Sequence, residues 1–308
     1  MTTPRSKLVD PLVPLHYHLV SRCVRRVWLC GRDPISRRNY NHRKRWLEQR
    51  LLHLARYFAV EIDAFSIMSS HFHLVIYFDP IACQRWSDDE VAWRWVEAFP
   101  PTENGDVIED LKPICRERIL QNKALLDDRR RKLGCLSTFM KHLKQPIARR
   151  ANKEDHCQGH FFETRFYSGA LLSEQAVLAS MAYVDLNPVR AKIARSIDQC
   201  DNTSIAVRIK HLENSLERLR EVIEPLISGV GEMTYRFQIT LADYIENLNE
   251  VIRCEMGRGS NQPTNKQSRW FAQVASIRKR QRAYGSIEAL AAWIDARGLK
   301  RPGSPLPE

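Results

Sequence analysis

The sequence contains no Cys-x-x-Cys pair, although eight cysteines are spread over its 308 residues. Scattered cysteines argue against a zinc ribbon and against a disulfide framework. The chain also has no apolar run near the roughly 20 residues that a membrane span requires, and residues 1–14 lack the apolar core of a signal peptide. We therefore expect a protein of the reducing cytoplasm with no membrane segment.

Acidic residues are the minority charge. The chain has 36 Asp and Glu against 48 Lys and Arg, a formal net charge of +12 and a pI near 9.5. A surface of this charge attracts polyanions, so nucleic acid is the leading class of partner. A solvated basic surface with no specific partner is the alternative. The hydrophobic content of 44% is enough for one large domain or two modest ones.

The spacing of hydrophobic residues predicts an ordered series of strands and helices. Strands are predicted at 17–24, 60–68, 71–78 and 160–168. Helices are predicted at 41–58, 136–152 and 173–187. Ser69-Ser70 forms a tight turn between two strands, Ser173 caps the last helix, and Pro146 predicts a kink or boundary. This order predicts an α+β fold, a ferredoxin-like antiparallel sheet with helices on one face.

The remaining segments are predicted to be mostly helical. Residues 79–135 carry three tryptophans and a Pro100-Pro101 pair, and we interpret them as an insertion into a first domain at 14–195. A mostly helical accessory region follows at 196–308. Its predicted features are helices at 211–227 and 241–251 and a linker at 257–268.

The tripeptide His71-Phe72-His73 begins a predicted strand. Because side chains alternate along a strand, both imidazoles point to one face while the hydrophobic residues point to the other. Two neutral imidazoles can bind a divalent metal ion, but they need a third ligand. Two ordinary polar residues on a strand remain the alternative. His16-Tyr17-His18 has the same spacing, and its alternative is an edge histidine bonded to the backbone.

The predicted helix at 173–187 carries Tyr183 and Asn187 four residues apart, so both lie on one face. The same face carries the small residues Ala176, Ala179 and Ser180, which leave room for a substrate beside the phenol. An ordinary half-buried tyrosine whose hydroxyl bonds to the backbone is the alternative.

Three segments, in chain order, carry a family resemblance. They are His71-Phe72-His73, Gly159-His160-Phe161-Phe162-Glu163-Thr164-Arg165-Phe166, and Tyr183-Val184-Asp185-Leu186-Asn187-Pro188-Val189-Arg190-Ala191. Together they resemble the single-tyrosine HUH transposases, both the insertion-sequence type and the REP-associated relatives. The resemblance spans about residues 15–194, interrupted by the insertion, and its third segment is the most specific.

The resemblance implies a role for each matching residue. It implies that Tyr183 attacks the backbone of single-stranded, hairpin-bearing DNA such as a REP-like palindrome, giving a 5′-phosphotyrosine and a free 3′-OH. It implies that His71 and His73 hold Mg²⁺ or Mn²⁺ and that Asn187 completes the metal site. The chemistry agrees, because a phenol with a pKa near 10 is a poor nucleophile without a nearby cation.

Several basic residues are candidates for DNA contacts. Arg165 and Arg190 are predicted to contact phosphates. A basic segment with nearby aromatic residues is predicted to recognise a hairpin or flanking sequence; it consists of Arg278, Lys279, Arg280 and Arg282. A packing extension that covers the edge of the sheet is the alternative.

The sequence departs from the family and leaves alternatives open. Relatives usually carry Pro-Asn where this chain has Ser69-Ser70. Tyr167 is the second candidate nucleophile, and His160 is an alternative metal ligand or DNA contact. A DNA-binding protein that has lost catalysis is the alternative function, and a metallohydrolase using the two histidines ranks below it because further His and carboxylate ligands are missing. The active unit is a monomer or a homodimer.

Overall fold

A six-stranded sheet forms the centre of the computed structural model, which describes residues 3–24, 28–33, 37–212, 215–231, 237–255, 265–299 and 304–307. The sheet order is β7-β2-β3-β1-β6-β8, and β4 and β5 form a separate hairpin. Neighbouring strands of the large sheet are antiparallel, except that β8 runs parallel to β6. The strands are β1 Leu15–Arg22, β2 Val60–Ile67, β3 His71–Phe78, β4 Thr102–Glu103, β5 Asp106–Val107, β6 Tyr167–Leu171, β7 Ile227–Ser228 and β8 Ala283–Tyr284.

The helices of the described residues surround this sheet. They are α1 Arg5–Leu8, α2 His42–Ala55, α3 Ala82–Arg85, α4 Asp88–Ala98, α5 Lys112–Leu120, α6 Lys123–Leu133, α7 Leu136–Glu154, α8 Glu174–Asp185, α9 Asn187–Arg190, α10 Ser204–Leu212, α11 Leu241–Glu255, α12 Asn265–Ser276 and α13 Ile287–Asp295. The predicted α+β class is confirmed, and residues 79–135, which were predicted to be an insertion, are mostly helical and contain α3 to α6.

Helices cover both faces of the sheet, whereas the sequence predicted helices on one face. The face formed by Phe72, Leu74 and Ile76 packs against α2 and α7. The opposite face carries the histidines together with Ala64 and Val75, and α8 packs there. The difference has a simple cause, because apolar residues on the histidine face also gain stability when a helix removes them from water.

The tight turn between β2 and β3 agrees with its prediction. The Met68 amide donates to the His71 carbonyl at 2.8 Å, which closes a two-residue loop formed by Ser69 and Ser70. This turn aligns β3 so that His73 lies opposite Val20 of β1 and His71 lies opposite Arg22. Both histidines therefore lie toward the end of the sheet where β1 ends.

Helix α7 continues through Pro146, so this proline is not a helix boundary. A proline has no amide hydrogen and leaves the carbonyl four residues earlier without its helical partner. That carbonyl belongs to His142, and the Arg50 side chain of α2 donates to it at 3.4 Å. A contact between two helices thus replaces the missing backbone bond.

Two predicted elements are wrong. In place of the strand predicted at 160–168, β6 spans Tyr167–Leu171; its pairing with β1 ends at Val20 and Tyr167, and only an isolated bridge between Cys23 and Phe162 follows. The helix predicted at 211–227 is absent from the described residues, where α10 ends at Leu212 and a short 3₁₀ helix spans Leu216–Arg220. Residues 213–214 lie outside the described part of the chain.

Residues beyond 195 contribute to the central sheet. Strand β7 pairs with β2 at one edge, and β8 pairs with β6 at the other. The sequence predicted a linker at 257–268. Residues 256–264 lie outside the described residues, and residues 265–268 belong to α12. Within the described residues, no helix is long and apolar enough to cross a membrane.

Candidate functional site

Three histidines of β1 and β3 meet on one face of the sheet. The ring centroids of His71 and His73 are 4.9 Å apart. The Nε2 atom of His18 lies 2.9 Å from Nδ1 of His73, which is a hydrogen bond between two buried imidazoles. The antiparallel register of β1 and β3 produces this contact, because it sets His18 and His73 on the same face of neighbouring strands.

Helix α8 places Tyr183 beside these histidines. The helix begins where the Ser173 hydroxyl accepts a hydrogen bond from the Ala176 amide at 3.2 Å. The half-buried Tyr183 ring has its centroid 5.8 Å from His73 and 5.9 Å from His18. The structure therefore brings the phenol and the predicted metal-binding histidines together, while their roles stay predictions.

The phenol and His71 line a cavity of about 1220 Å³. One wall comes from the start of β3 and from α8 and α9, including Asn187. The other wall comes from the C-terminal region, including Glu255 of α11, Phe271 of α12 and Arg278. The region beyond residue 195 thus completes the cavity.

Asn187 and Arg190 follow Tyr183 on the same wall of the cavity. Asn187 is 8% exposed, and its Nδ2 atom has no hydrogen-bond partner among the described residues. The Arg190 guanidinium carbon lies 4.8 Å from the centre of the Tyr183 ring, and its Nε donates to Glu255 at 2.7 Å. Both Arg190 Nη atoms are buried without a partner in the described part of the chain. These Asn187 and Arg190 nitrogens are therefore available to donate hydrogen bonds to an anion in the cavity.

All three histidines are neutral at neutral pH. Burial lowers the pKa of His71 to about 4 and that of His18 to about 3, and burial also lowers the pKa of His73 well below its ordinary value. The positive charge of Arg280 adds to the lowering of each pKa. Because a neutral imidazole keeps one nitrogen lone pair, the histidines have the protonation state that metal binding needs.

The contact between His18 and His73 restricts their tautomers. One of the two bonded nitrogens must donate and the other must accept. The outer nitrogens, Nδ1 of His18 and Nε2 of His73, are buried and have no partner among the described residues. If His73 donates from Nδ1, its Nε2 keeps the lone pair, and His18 acts as the acceptor that fixes this tautomer.

The Ser69-Ser70 turn adds a further contact to His71. The Ser70 hydroxyl lies 3.2 Å from Nδ1 of His71. A serine hydroxyl can accept as well as donate, so His71 can keep its Nε2 lone pair when Nδ1 carries the proton. The departure from Pro-Asn is therefore compatible with metal binding by this histidine.

The basic segment of the C-terminal region divides into different environments. Arg280 is half-buried in a left-handed backbone conformation, and burial followed by the charge of Arg22 lowers its pKa. Arg278 lines the cavity. Lys279 and Arg282 are exposed and are not among the residues that line it. Of the four candidate DNA contacts in this segment, Arg278 and Arg280 are thus associated with the site.

Tyr167, the alternative nucleophile, already has hydrogen-bond partners, and His160, the alternative metal ligand, lies in another cavity. The Tyr167 hydroxyl contacts the Gln281 carbonyl and lies 2.9 Å from the Tyr284 hydroxyl, and burial raises its pKa well above the ordinary value. His160 and Arg165 line a different cavity, next to α7. Tyr167 thus has a structural role between β6 and the segment before β8, which favours Tyr183 as the reactive phenol.

The contact of His18 with His73 could not be predicted from the sequence. The His-x-His spacing was the available signal, but it offered no reason to place His18 against His73. Only the pairing of β1 with β3 does so. Among the described residues, no group of three or more His, Cys, Asp or Glu side chains is arranged to hold a metal ion. The candidate donor set is therefore two imidazoles and the side-chain amide of Asn187.

No protein-family model and no curated protein matches the sequence. Among solved structures, the chain is similar to a REP-associated tyrosine transposase bound to a REP hairpin, with 10% sequence identity and a TM-score of 0.39, over 78% of this chain and 99% of that chain.

Proposed function

We propose that the protein is a DNA strand transferase that uses a tyrosine nucleophile. Within that class, we propose a transposase of the single-tyrosine HUH type, which cuts and rejoins single-stranded, hairpin-bearing DNA. One observation carries the proposal: the Tyr183 ring lies 5.8 Å from His73, beside a cavity that His71, Asn187 and Arg190 also line or approach.

Tyr183 would supply the attacking oxygen. Its phenolic oxygen bonds to the phosphorus while the P–O3′ bond breaks, which leaves a 5′-phosphotyrosine and a 3′-OH. The phenol loses a proton and the leaving 3′ oxygen gains one, so the protons balance. The covalent ester keeps the energy of the broken bond, so rejoining needs no ATP. The reverse attack by a 3′-OH restores the phenol.

Cationic side chains would bind and stabilise the reacting phosphate. The Arg190 guanidinium lies 4.8 Å from the centre of the Tyr183 ring, which places it beside the phosphate that the phenol would attack. The two unpartnered Nη atoms of Arg190 can donate to phosphate oxygens, and Arg278 lines the same cavity. Such donors stabilise the charge that develops in a phosphoryl transition state.

His71, His73 and Asn187 would hold Mg²⁺ or Mn²⁺. The buried, unpartnered Nε2 of His73 and the buried side-chain amide of Asn187 support this assignment, as do the lowered pKa values of both histidines. When bound, the ion supplies positive charge that polarises the scissile phosphate. The protein's own contribution is to keep both imidazoles neutral and to orient them from one rigid strand.

The test is a covalent adduct between the protein and DNA. Single-stranded oligonucleotides copied from the DNA that flanks the gene, together with a randomised pool, are incubated with Mn²⁺ and separated under denaturing conditions. We expect an adduct with the natural protein, none with Tyr183→Phe and none after chelation of the metal. Tyr167→Phe is the matched control and should keep the adduct.

An adduct that persists in Tyr183→Phe but disappears in Tyr167→Phe would contradict the assignment of the nucleophile. Tight binding of the oligonucleotides without any adduct would instead support a DNA-binding protein that has lost catalysis. Release of cleaved DNA without an adduct would indicate a metallohydrolase.

A further inference from the structure

We propose that a basic groove along α7, on the opposite face of the sheet from Tyr183, binds the backbone phosphates of the same DNA substrate. This inference rests on the proposed function, since it assigns the path of DNA beyond the reactive phenol. The α7 groove is the cavity of about 750 Å³ between one face of α7 and residues 159–166, with Arg5 of α1 at one side.

Five cations line the α7 groove: Arg5, Lys141, Lys144, Arg149 and Arg165. Glu163 is the one acidic residue among the lining residues. None of the ion pairs found among the described residues involves any of the five cations. The groove therefore has an excess of positive charge that the described protein does not neutralise.

A second basic cluster of the chain provides the contrast. On α6, Arg131 and Lys132 each bond to Asp128 at 2.6 Å, and Arg130 bonds to Asp88 at 2.6 Å. The α6 cluster has a similar basic sequence, but its charge is largely balanced by neighbouring carboxylates. Charge density in the sequence alone does not distinguish these two surfaces.

The cations that line the groove repel one another. Burial, and next the charge of Arg165, lowers the pKa of Arg5 to about 10. Burial, and next the charge of Arg5, lowers the pKa of Lys144. Five like charges held close together, with Glu163 as the one carboxylate among the residues that line the groove, raise the free energy of the unbound protein, and a phosphate between them relieves this repulsion.

Arg5 is held in place for such a contact. Its guanidinium donates to the Ser168 hydroxyl at 2.6 Å and lies 3.8 Å from the centre of the Phe166 ring. Lys144 donates to the backbone carbonyl of Glu163 at 3.1 Å. Because these side chains are already ordered, a bound phosphate would not have to restrict them further.

The groove and the cavity of Tyr183 are adjacent at one end of the sheet. The Glu163 amide donates to the Arg22 carbonyl at 2.8 Å, and Arg22 pairs with His71 across β1 and β3. A DNA strand that leaves the cavity near His71 can therefore pass the exposed Arg22 side chain and reach the groove. A flexible single strand fits this path around the end of the sheet better than a stiff duplex does.

The test compares two double variants that remove the same charge. Lys141→Gln with Arg149→Gln neutralises two exposed cations on the groove face of α7. Arg131→Gln with Lys132→Gln removes two cations from the balanced α6 cluster. Both pairs are made in Tyr183→Phe protein, so cleavage does not interfere, and binding of a fluorescent single-stranded oligonucleotide is measured by anisotropy over a range of NaCl concentrations.

We expect the groove variant to bind the oligonucleotide about tenfold more weakly. The slope of log Kd against log salt concentration should fall by about 1.4, because each of the two lost phosphate contacts contributes about 0.7 to the slope for a single strand. The α6 variant should change the affinity by less than about threefold. Equal affinities for the two variants, with unchanged melting temperatures, would overturn the groove proposal. Adduct formation by Tyr167→Phe and the natural protein is scored separately, so failure of the catalytic proposal is distinguishable from failure of the groove.

Discussion

At the scale of single residues, His18 has the most informative position. Its ring bonds to His73 at 2.9 Å in a buried environment, and it has no place in the predicted donor set of His71, His73 and Asn187. Partners that bond to the second nitrogen of a metal-binding histidine fix its orientation and its tautomer. We therefore expect His18 to act as a positioning residue through His73.

This role predicts different effects for two substitutions of His18. His18→Leu removes the acceptor for Nδ1 of His73 and should weaken Mn²⁺ binding about 10- to 100-fold. His18→Gln keeps an acceptor near the same position and should recover part of the affinity. Titration of Mn²⁺ by electron paramagnetic resonance measures this directly, without DNA and without an activity assay.

A leucine variant that binds Mn²⁺ as tightly as the natural protein would contradict the role. His73→Leu serves as the control for complete loss of a donor, and each variant is first checked for an unchanged circular dichroism spectrum.

At the scale of elements, α8 determines where the phenol lies. Its N-terminus depends on Ser173, whose side chain accepts from the Ala176 amide, and Glu174 in the first turn interacts favourably with the helix dipole. Most of the residues of α8 are small or apolar and buried, and the helix packs on β2 and β3. The position of Tyr183 near the C-terminal end therefore depends on packing along the whole helix.

The cap of α8 gives a prediction about stability. Ser173→Ala should lower the free energy of unfolding by about 1 kcal/mol, because one amide at the helix start loses its acceptor. Ser173→Asp should preserve most of the stability, since a carboxylate also accepts this bond and favours the positive end of the dipole. Urea denaturation followed by circular dichroism measures both changes. A loss of stability as large in the aspartate variant as in the alanine variant would show that capping is not the cause.

At the scale of the whole molecule, the C-terminal region and the predicted first domain share buried interactions. Asp185 of α8 is fully buried, and its carboxylate accepts hydrogen bonds from the Ile205 amide at 2.9 Å and the Tyr244 hydroxyl at 2.8 Å. Arg208 donates to the Asp63 carbonyl at 2.8 Å. These contacts, with β7 and β8, join residues beyond 195 to the centre of the sheet.

A fragment of residues 1–195 should therefore not fold cooperatively. It would leave the Asp185 carboxylate without its partners and would expose the face of α8 that packs against α12. Exposing a large apolar face to water costs several kcal/mol, which is comparable with the roughly 5–15 kcal/mol stability of a typical protein. Thermal unfolding of the fragment and of the full chain provides the comparison, and a sharp cooperative transition in the fragment would refute the prediction.

Much of the fold could be predicted because local signals were consistent along the chain. Strands β2 and β3, the Ser69-Ser70 turn and the capped helix α8 each follow from residues within a few positions of one another. The extent of β6 was not predictable in this way, since it depends on the pairing of β6 with β1, which stops at Val20 and Tyr167 although β1 continues to Arg22. The helix predicted at 211–227 followed charge and periodicity, although Ile227–Ser228 instead pair with β2 as β7.

The sequence by itself determined which side chains are candidates for the proposed chemistry: two histidines on one strand face, and a tyrosine one turn before an asparagine on a helix. These relations depend on the periods of strands and helices, which are local properties of the backbone. Tertiary structure alone decided that His18 contacts His73, that the C-terminal region completes the cavity, and that the cations along α7 lack the carboxylate partners present on α6. Those relations join residues far apart in the chain, so their formation depends on strand register and on the packing of both faces of the sheet.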